Sequence, residues 1–128
     1  MHPLLDIGVA AARAAARVIQ EAAQSPAALE IRQKQPNDFV TQVDLASEKI
    51  IVATLLNACP GHAVRSEESI HAHGTPGADH VWIVDPLDGT SNFIHGYPAY
   101  AVSIALSIRG RIEHGVVLDE VNGDVFHA

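Results

Sequence analysis

Two carboxylates, Asp85 and Asp88, stand three residues apart in the run Asp85-Pro86-Leu87-Asp88-Gly89-Thr90-Ser91-Asn92. Acidic oxygens at such close spacing can hold hard divalent cations, as Mg²⁺ requires. In front of them Val81-Trp82-Ile83-Val84, bulky and partly β-branched, reads as a buried strand. The strand is expected to break at Asp85-Pro86, because proline cannot donate to a sheet ladder. Behind them Asp88-Gly89 is a turn dipeptide, and Thr90 or Ser91 can cap a short helix running towards Gly96 and Pro98. The free N–H groups of Gly89, Thr90 and Ser91 can then face a phosphate, which the helix dipole also favours. An ordinary Asp-Gly turn before a capped helix would explain a lone dipeptide. Strand, acidic loop and helix start together point to a metal-and-phosphate site.

Other candidates are more ambiguous alone. Thr41-x-x-Asp44 has the form of a capping box, with Asp in place of the usual Glu or Gln. Glu67-Glu68 is a pair of acids of the kind that often marks a solvated loop, and Lys34 reads by default as a solvated charge. His71-Ala72-His73 has two potential metal ligands but no neighbouring cysteine or HExxH pattern, so an exposed loop is the expected role. His95 and Tyr97 follow the acidic loop and read as surface or packing residues.

The Asp85 segment resembles the first signature of the inositol monophosphatase family, the lithium-sensitive, Mg²⁺-dependent phosphatases. Asn37-Asp38-Phe39-Val40-Thr41-Gln42-Val43-Asp44 and Ser66-Glu67-Glu68-Ser69 resemble its two upstream motifs in order and spacing. Similarity continues through Met1-His2-Pro3 and Ala101-Val102-Ser103-Ile104-Ala105, and the bacterial branch is the nearest in look. The resemblance implies a ligand set. Glu67, Asp85 and the Leu87 carbonyl would hold one Mg²⁺, and Asp85 and Asp88 would share a second. Asp44 would pair with Thr90 to orient or deprotonate the attacking water, a role that can coexist with capping if each carboxylate oxygen takes one task. Backbone N–H groups at Gly89, Thr90 and Ser91 would hold the phosphate. Glu68 would orient a ligand or a bound water, and Lys34 falls near a lysine that contacts a metal-bound water or phosphate in some members.

The resemblance also sets limits. Complete members are roughly twice as long, and their second half carries a further Asp ligand in a Trp-Asp motif. The only tryptophan here is Trp82, in the wrong context for that motif. Residues 1–128 therefore read as the N-terminal metal- and phosphate-binding part of such a domain, with its second metal under-coordinated. The implied substrate is inositol monophosphate. Bisphosphate nucleotidases and fructose-bisphosphatases share the motifs, and a non-catalytic partner protein in a transcription complex is the alternative from another class. A homodimer is expected.

Composition agrees with a globular chain rather than a disordered one, at 48% hydrophobic and 18% charged residues. A net charge of −7, from 15 acidic and 8 basic residues, argues against unaided binding to nucleic acid or anionic membrane. Cys59 is the only cysteine, which excludes an intrachain disulfide and fits a cytoplasmic setting. No secretory signal pattern opens the chain, and no run of about 18 apolar residues suggests a transmembrane helix.

The elements that must position these residues follow from periodicity. Residues 3–24 read as a helix, with Pro3 in its first turn, an alanine-rich body and a stripe of Leu4, Ile7, Ala11, Ala15, Val18 and Ala22. Small residues on that stripe predict close packing on another helix or on a partner subunit. Residues 29–40 should be extended, with a turn at Pro36-Asn37-Asp38. A second helix is expected from Thr41 to about Asn57, its apolar face carrying Leu45, Ile51, Val52, Leu55 and Leu56, with Cys59-Pro60-Gly61 as its stop. A strand from His62 to Ser66 delivers Glu67, and His71 to His80 should be a loop. Ala99 to Ile108 and Arg111 to Leu118 form a hairpin about Arg109-Gly110, and a Val125-Phe126 edge follows Asn122-Gly123. The expected class is α/β in an α+β order, two helices packed on a largely antiparallel sheet.

Overall fold

The structure, a computed structural model, describes residues 2–35, 38–69 and 71–128. The turn expected at Pro36-Asn37 lies outside the described residues, as does Met1.

Two long helices precede the main sheet in the chain. Helix α1 spans Pro3–Ala23 and opens with proline in its first turn, where a missing N–H costs nothing. His2 caps it, its Nδ1 accepting from the Leu4 N–H at 3.1 Å. Helix α2 spans Gln42–Ala58 behind a full capping box at Thr41 and Asp44. Between them the hairpin β1 (Ile31–Gln35) and β2 (Asp38–Thr41) pairs antiparallel with Ile31 opposite Thr41.

The main sheet contains β3 (Ala63–Ser66), β4 (His73–Gly74), β5 (His80–Asp88), β6 (Ala101–Ile108), β7 (Arg111–Asp119) and β8 (Val125–His127). Its order is β4-β3-β5-β6-β7-β8. Only β3 and β5 run parallel, with Ser66 opposite Val84, and the other neighbours are antiparallel. A mixed α/β fold with a mostly antiparallel sheet is therefore what the chain adopts.

Both helices lie on one face of this sheet. Trp82, Val84, Val102, Ile104, Leu106, Val116 and Leu118 alternate along β5, β6 and β7 towards them and are buried. Burying each such side chain is worth about 1.5–3 kcal/mol. Trp82 is satisfied as well as buried, its Nε1–H donating to His62 Nδ1 at 3.1 Å. Helix α1 rides close on the sheet: a Cβ at Gly8 would meet the Trp82 ring at 3.3 Å and Val116 at 3.4 Å.

Several sequence expectations need correction. The α1 stripe is rotated, with Leu5, Gly8, Ala12 and Ile19 buried beside Ala11 and Ala15, while Leu4, Ile7, Val18 and Ala22 sit at its margin. Alanines surround the helix so evenly that the pattern does not fix the angle. On α2 the expected Ile51 and Leu55 are buried and Val52 and Leu56 pack at their margin, but Leu45 is 44% exposed and the buried face continues through Val43, Asp44, Ser47 and Glu48. The His71–His80 connection is not all loop, because β4 pairs with β3 through Val64 and His73. Arg109 and Gly110 make the expected two-residue turn with φ of 52° and 81°, the positive values a tight hairpin needs. The last hairpin is wider than Asn122-Gly123 alone implies, since β7 ends at Asp119 and β8 starts at Val125. Asp119 organises that loop, accepting from the N–H groups of Val121 at 3.0 Å and Asn122 at 3.2 Å. Among the described residues, no helix is long and apolar enough to cross a membrane.

Candidate metal and phosphate site

Parallel register brings the first two acids together. Ser66 pairs with Val84, and the Glu67 N–H continues the ladder onto the Val84 carbonyl at 3.0 Å. Glu67 therefore leaves β3 beside Asp85 on β5, and the two carboxyl groups are within hydrogen-bonding reach. Asp85 is half-buried, and its carboxyl is pushed up to about 7, first by burial, then by Glu67 and by the charge of Asp88. The Leu87 N–H, 3.3 Å from Asp85 Oδ1, opposes that shift.

The strand does not stop at Pro86. Strand β5 continues to Asp88 through an irregularity, with Asp85 opposite Ser103 and Asp88 opposite Ala101. Proline is tolerated there because a bulge leaves its position outside the ladder. The bulge turns Asp88 and the Leu87 carbonyl into the same region as Asp85. Helix α3, Thr90–Ile94, then begins with Gly89 as its N-cap at φ 93°. Neither Thr90 nor Ser91 caps it with a side chain, contrary to the sequence expectation. The left-handed turn that starts the helix needs glycine, and Thr90 is thereby released for another contact.

That contact is Asp44. The Thr90 hydroxyl is 2.7 Å from Asp44 Oδ1 and 3.0 Å from the Leu87 carbonyl. Asp44 Oδ2 accepts from the Thr41 N–H at 2.9 Å and from the Thr41 hydroxyl at 2.6 Å. One oxygen thus closes the α2 capping box while the other reaches α3, and the residue is fully buried.

Lys34 supplies positive charge. Its Nζ lies 3.2 Å from Glu68 Oε2, joining the β1–β2 hairpin to the loop after β3. The Glu68 carboxyl is raised by burial, lowered by Lys34, and raised again by Asp44 and Glu67. Asp44, Glu67, Glu68, Asp85 and Asp88 thus share one electrostatic neighbourhood. Among the described residues, no three histidine, cysteine or acidic side chains close around a single point. Glu67 and Asp85 are the pair in contact, and Asp88 acts on them through space. Hard oxygen donors with no thiolate suit Mg²⁺ or Mn²⁺ rather than Zn²⁺. A mutually repelling carboxyl pair is relieved by a shared cation, so the residues present fit one.

Sequence reasoning placed His95 and Tyr97 outside the site, and both side chains are exposed. It passed over Ser47, Glu48 and Ser69. Ser47 donates to the Pro86 carbonyl at 2.7 Å, and Glu48 accepts from Ser69. The only sequence signal of Ser47 and Glu48 is polar character on the buried side of α2, whereas Ser69 stands in the Ser66-Glu67-Glu68-Ser69 motif. Beside Asp88 and Gly89 opens a cleft of ≈ 450 Å³ whose other walls include Asn92, Tyr100, Val117 and Phe126.

The match to known proteins covers the whole chain. The model of the inositol monophosphatase family matches residues 1–128. The chain belongs to that family. It is 46% identical over 129 residues to Nus factor SuhB of Pseudomonas aeruginosa, covering 100% of this chain and 48% of the relative. The crystal structure of extragenic suppressor protein suhB from Bartonella henselae superposes with a TM-score of 0.94 at 38% identity, covering 99% of this chain and 49% of that one. Inositol monophosphatase from Anabaena superposes with a TM-score of 0.78 at 35% identity, covering 96% of this chain and 42% of that one. The chain thus spans about half the length of the family members it matches.

Proposed function

We propose that this chain is the metal- and phosphate-binding part of a Mg²⁺-dependent phosphomonoester hydrolase acting on inositol monophosphate. The observation that carries the reading is the meeting of Glu67 and Asp85 at the end of β5, beside the Asp44–Thr90 hydrogen bond. Glu67, Asp85 and the Leu87 carbonyl would hold one Mg²⁺, and Asp85 with Asp88 a second. Bound there, Mg²⁺ supplies charge neutralisation on the phosphoryl oxygens and a more acidic water. Thr90 gives its proton towards Asp44 and keeps its lone pairs for a water, which it orients for in-line attack. One proton can then pass from that water to Thr90 as another passes from Thr90 to Asp44. The N–H groups of Gly89, Thr90 and Ser91, which the first turn of a helix cannot satisfy internally, face the phosphate. No covalent phospho-enzyme is needed. A cytoplasmic homodimer sensitive to Li⁺ is the setting we infer from the family.

The test is calorimetric titration with Mg²⁺ followed by phosphate release from inositol 1-phosphate, fructose 1,6-bisphosphate and a 3′,5′-bisphosphonucleotide. Mg²⁺ binding with release favouring the first substrate is expected, weakened where carboxylates from the rest of the family fold are lacking. Absence of both Mg²⁺ binding and phosphate release would overturn the reading. A second reading, a non-catalytic partner in a transcription complex, is favoured by one observation: the relative from Pseudomonas aeruginosa is named a Nus factor. Tight Mg²⁺ binding without turnover on any of the three substrates would favour it.

A further inference from the structure

Helix α2 turns a polar stripe towards the protein interior. Asp44, Ser47 and Glu48 are 0%, 0% and 5% exposed, and they lie on one face at helical spacing. Each reaches a different segment of the site. Asp44 takes Thr90 at the start of α3. Ser47 donates to the carbonyl of Pro86, inside the bulge that separates Asp85 from Asp88, at 2.7 Å. Glu48 Oε1 accepts from the Ser69 hydroxyl and lies 3.1 Å from His73 Nε2, while Ser69 Oγ and His73 Nε2 are 3.3 Å apart.

Helix packing does not require this stripe. Alanine at positions 47 and 48 would seat α2 on the sheet without burying a carboxylate, which is costly unless its bonds are made. Glu48 is not even fully satisfied: Oε2 is buried with no hydrogen-bond partner among the described residues. The benefit must lie in what Oε1 holds. Ser69 and His73 belong to the segment that follows Glu67, and β4 closes that segment with His73 opposite Val64. Its start is fixed by the Glu67 N–H on the Val84 carbonyl at 3.0 Å. Held at its start and again at Ser69 and His73, the loop has little slack for Glu67 to swing away from Asp85.

We propose that Glu48 and Ser47 are positioning residues, Glu48 fixing the loop that carries Glu67 and Ser47 fixing the bulge that carries Asp85 and Asp88. Both act from the helix whose first turn also holds Thr90, so one rigid element sets the spacing of all three segments. The metal part of this inference rests on the reading of Glu67 and Asp85 as a cation-binding pair; the ordering of the loop does not.

The experiment compares wild type with Glu48→Ala, Glu48→Gln and Ser69→Ala in two measurements: Mn²⁺ affinity, and amide hydrogen exchange in the metal-free protein. Removing groups that orient a metal's ligands commonly weakens binding about 10- to 100-fold, and Glu48→Ala should fall in that range. Its exchange should accelerate between Glu67 and Gly74 more than in β6 and β7. Glu48→Gln keeps an acceptor for Ser69, so it should return both readouts close to wild type. Wild-type Mn²⁺ affinity in a folded Glu48→Ala protein would overturn the proposal. So would a loss that glutamine does not restore together with exchange raised evenly over the sheet. Should Glu48→Ala fail to fold, Ser69→Ala decides: weaker Mn²⁺ binding and faster loop exchange support the proposal, and no change in either refutes it. Should wild type itself bind no Mn²⁺, the cation reading fails and the exchange comparison alone judges the positioning role.

Discussion

Thr90 donates its hydroxyl to Asp44 Oδ1 at 2.7 Å across a sequence separation of 46 residues, while Oδ2 of the same carboxylate closes the cap of α2. A helix start and a catalytic candidate are therefore built from one side chain. Asp44→Asn should separate the two tasks. Its amide places an N–H₂ against one of the donors that Asp44 now accepts, so the cap weakens by roughly 0.5–2 kcal/mol. Turnover should fall further than stability, by on the order of 10²–10⁴ if the pair handles the proton of the attacking water. Thr90→Val should lower turnover without touching the cap. Denaturant midpoints and Mg²⁺-dependent phosphate release on the two variants check this.

Gly89 is the second position with a sharp expectation. Its φ is 93°, and a Cβ there would meet the Ala99 carbonyl at 2.7 Å and the Tyr100 Cα at 3.3 Å. Both obstacles are backbone, so they cannot rotate away. Gly89→Ala should cost about 1–3 kcal/mol or more. Gly115 has open space around it, so Gly115→Ala should stay within about 0.5 kcal/mol of wild type. Urea unfolding of the two proteins makes the comparison.

What could be read in advance divides along physical lines. Local chemistry is legible: the capping box at Thr41, the two-residue turn at Arg109-Gly110 and the two strands it joins all follow from neighbours in sequence. The meeting of Glu67 with Asp85 depends on the parallel register of β3 on β5, which sets Ser66 opposite Val84, 18 residues further along the chain, and no local pattern encodes such long-range pairing. The face of α2 was misjudged for a different reason. Apolar periodicity selects Leu45, but the helix buries Ser47 and Glu48 because they are bonded to the site's loops. Polar burial is visible only once its partners are.

Glu120 gives a pH dependence separate from the acidic site. Its side chain is buried, and neither carboxylate oxygen has a hydrogen-bond partner among the described residues. Burial, helped by the charge of Asp119, raises its carboxyl to about 7 from 4.5. Between those values the folded chain holds a proton that the unfolded chain has released. Glu120 therefore supports stability fully below about pH 4.5, and that support is lost as pH rises through about 7. The loss amounts to about 3 kcal/mol at most. Glu120→Gln should remove this part of the slope, so its advantage over wild type should be larger at pH 8 than at pH 5. Equal advantages at both values would show that Glu120 is ionised in the folded state.

Asp85 should respond to cation in the opposite sense from an ordinary surface acid. Its carboxyl is pushed up by burial, by contact with Glu67 and by Asp88, so the ionised form is unfavourable in the metal-free protein. Asp85→Asn relieves that repulsion and should raise the metal-free melting temperature at pH 8. A cation removes the same repulsion in wild type and adds its binding free energy, worth about 2.7 kcal/mol when its concentration is 100 times the Kd. Mg²⁺ should therefore raise the melting temperature of wild type and leave Asp85→Asn nearly unmoved, reversing the order of the two proteins. The measurement is a pair of thermal unfolding series with and without Mg²⁺. If Asp85→Asn gains as much from Mg²⁺ as wild type does, the cation binds elsewhere, and Glu67 and Asp85 are a carboxyl pair that shares a proton instead.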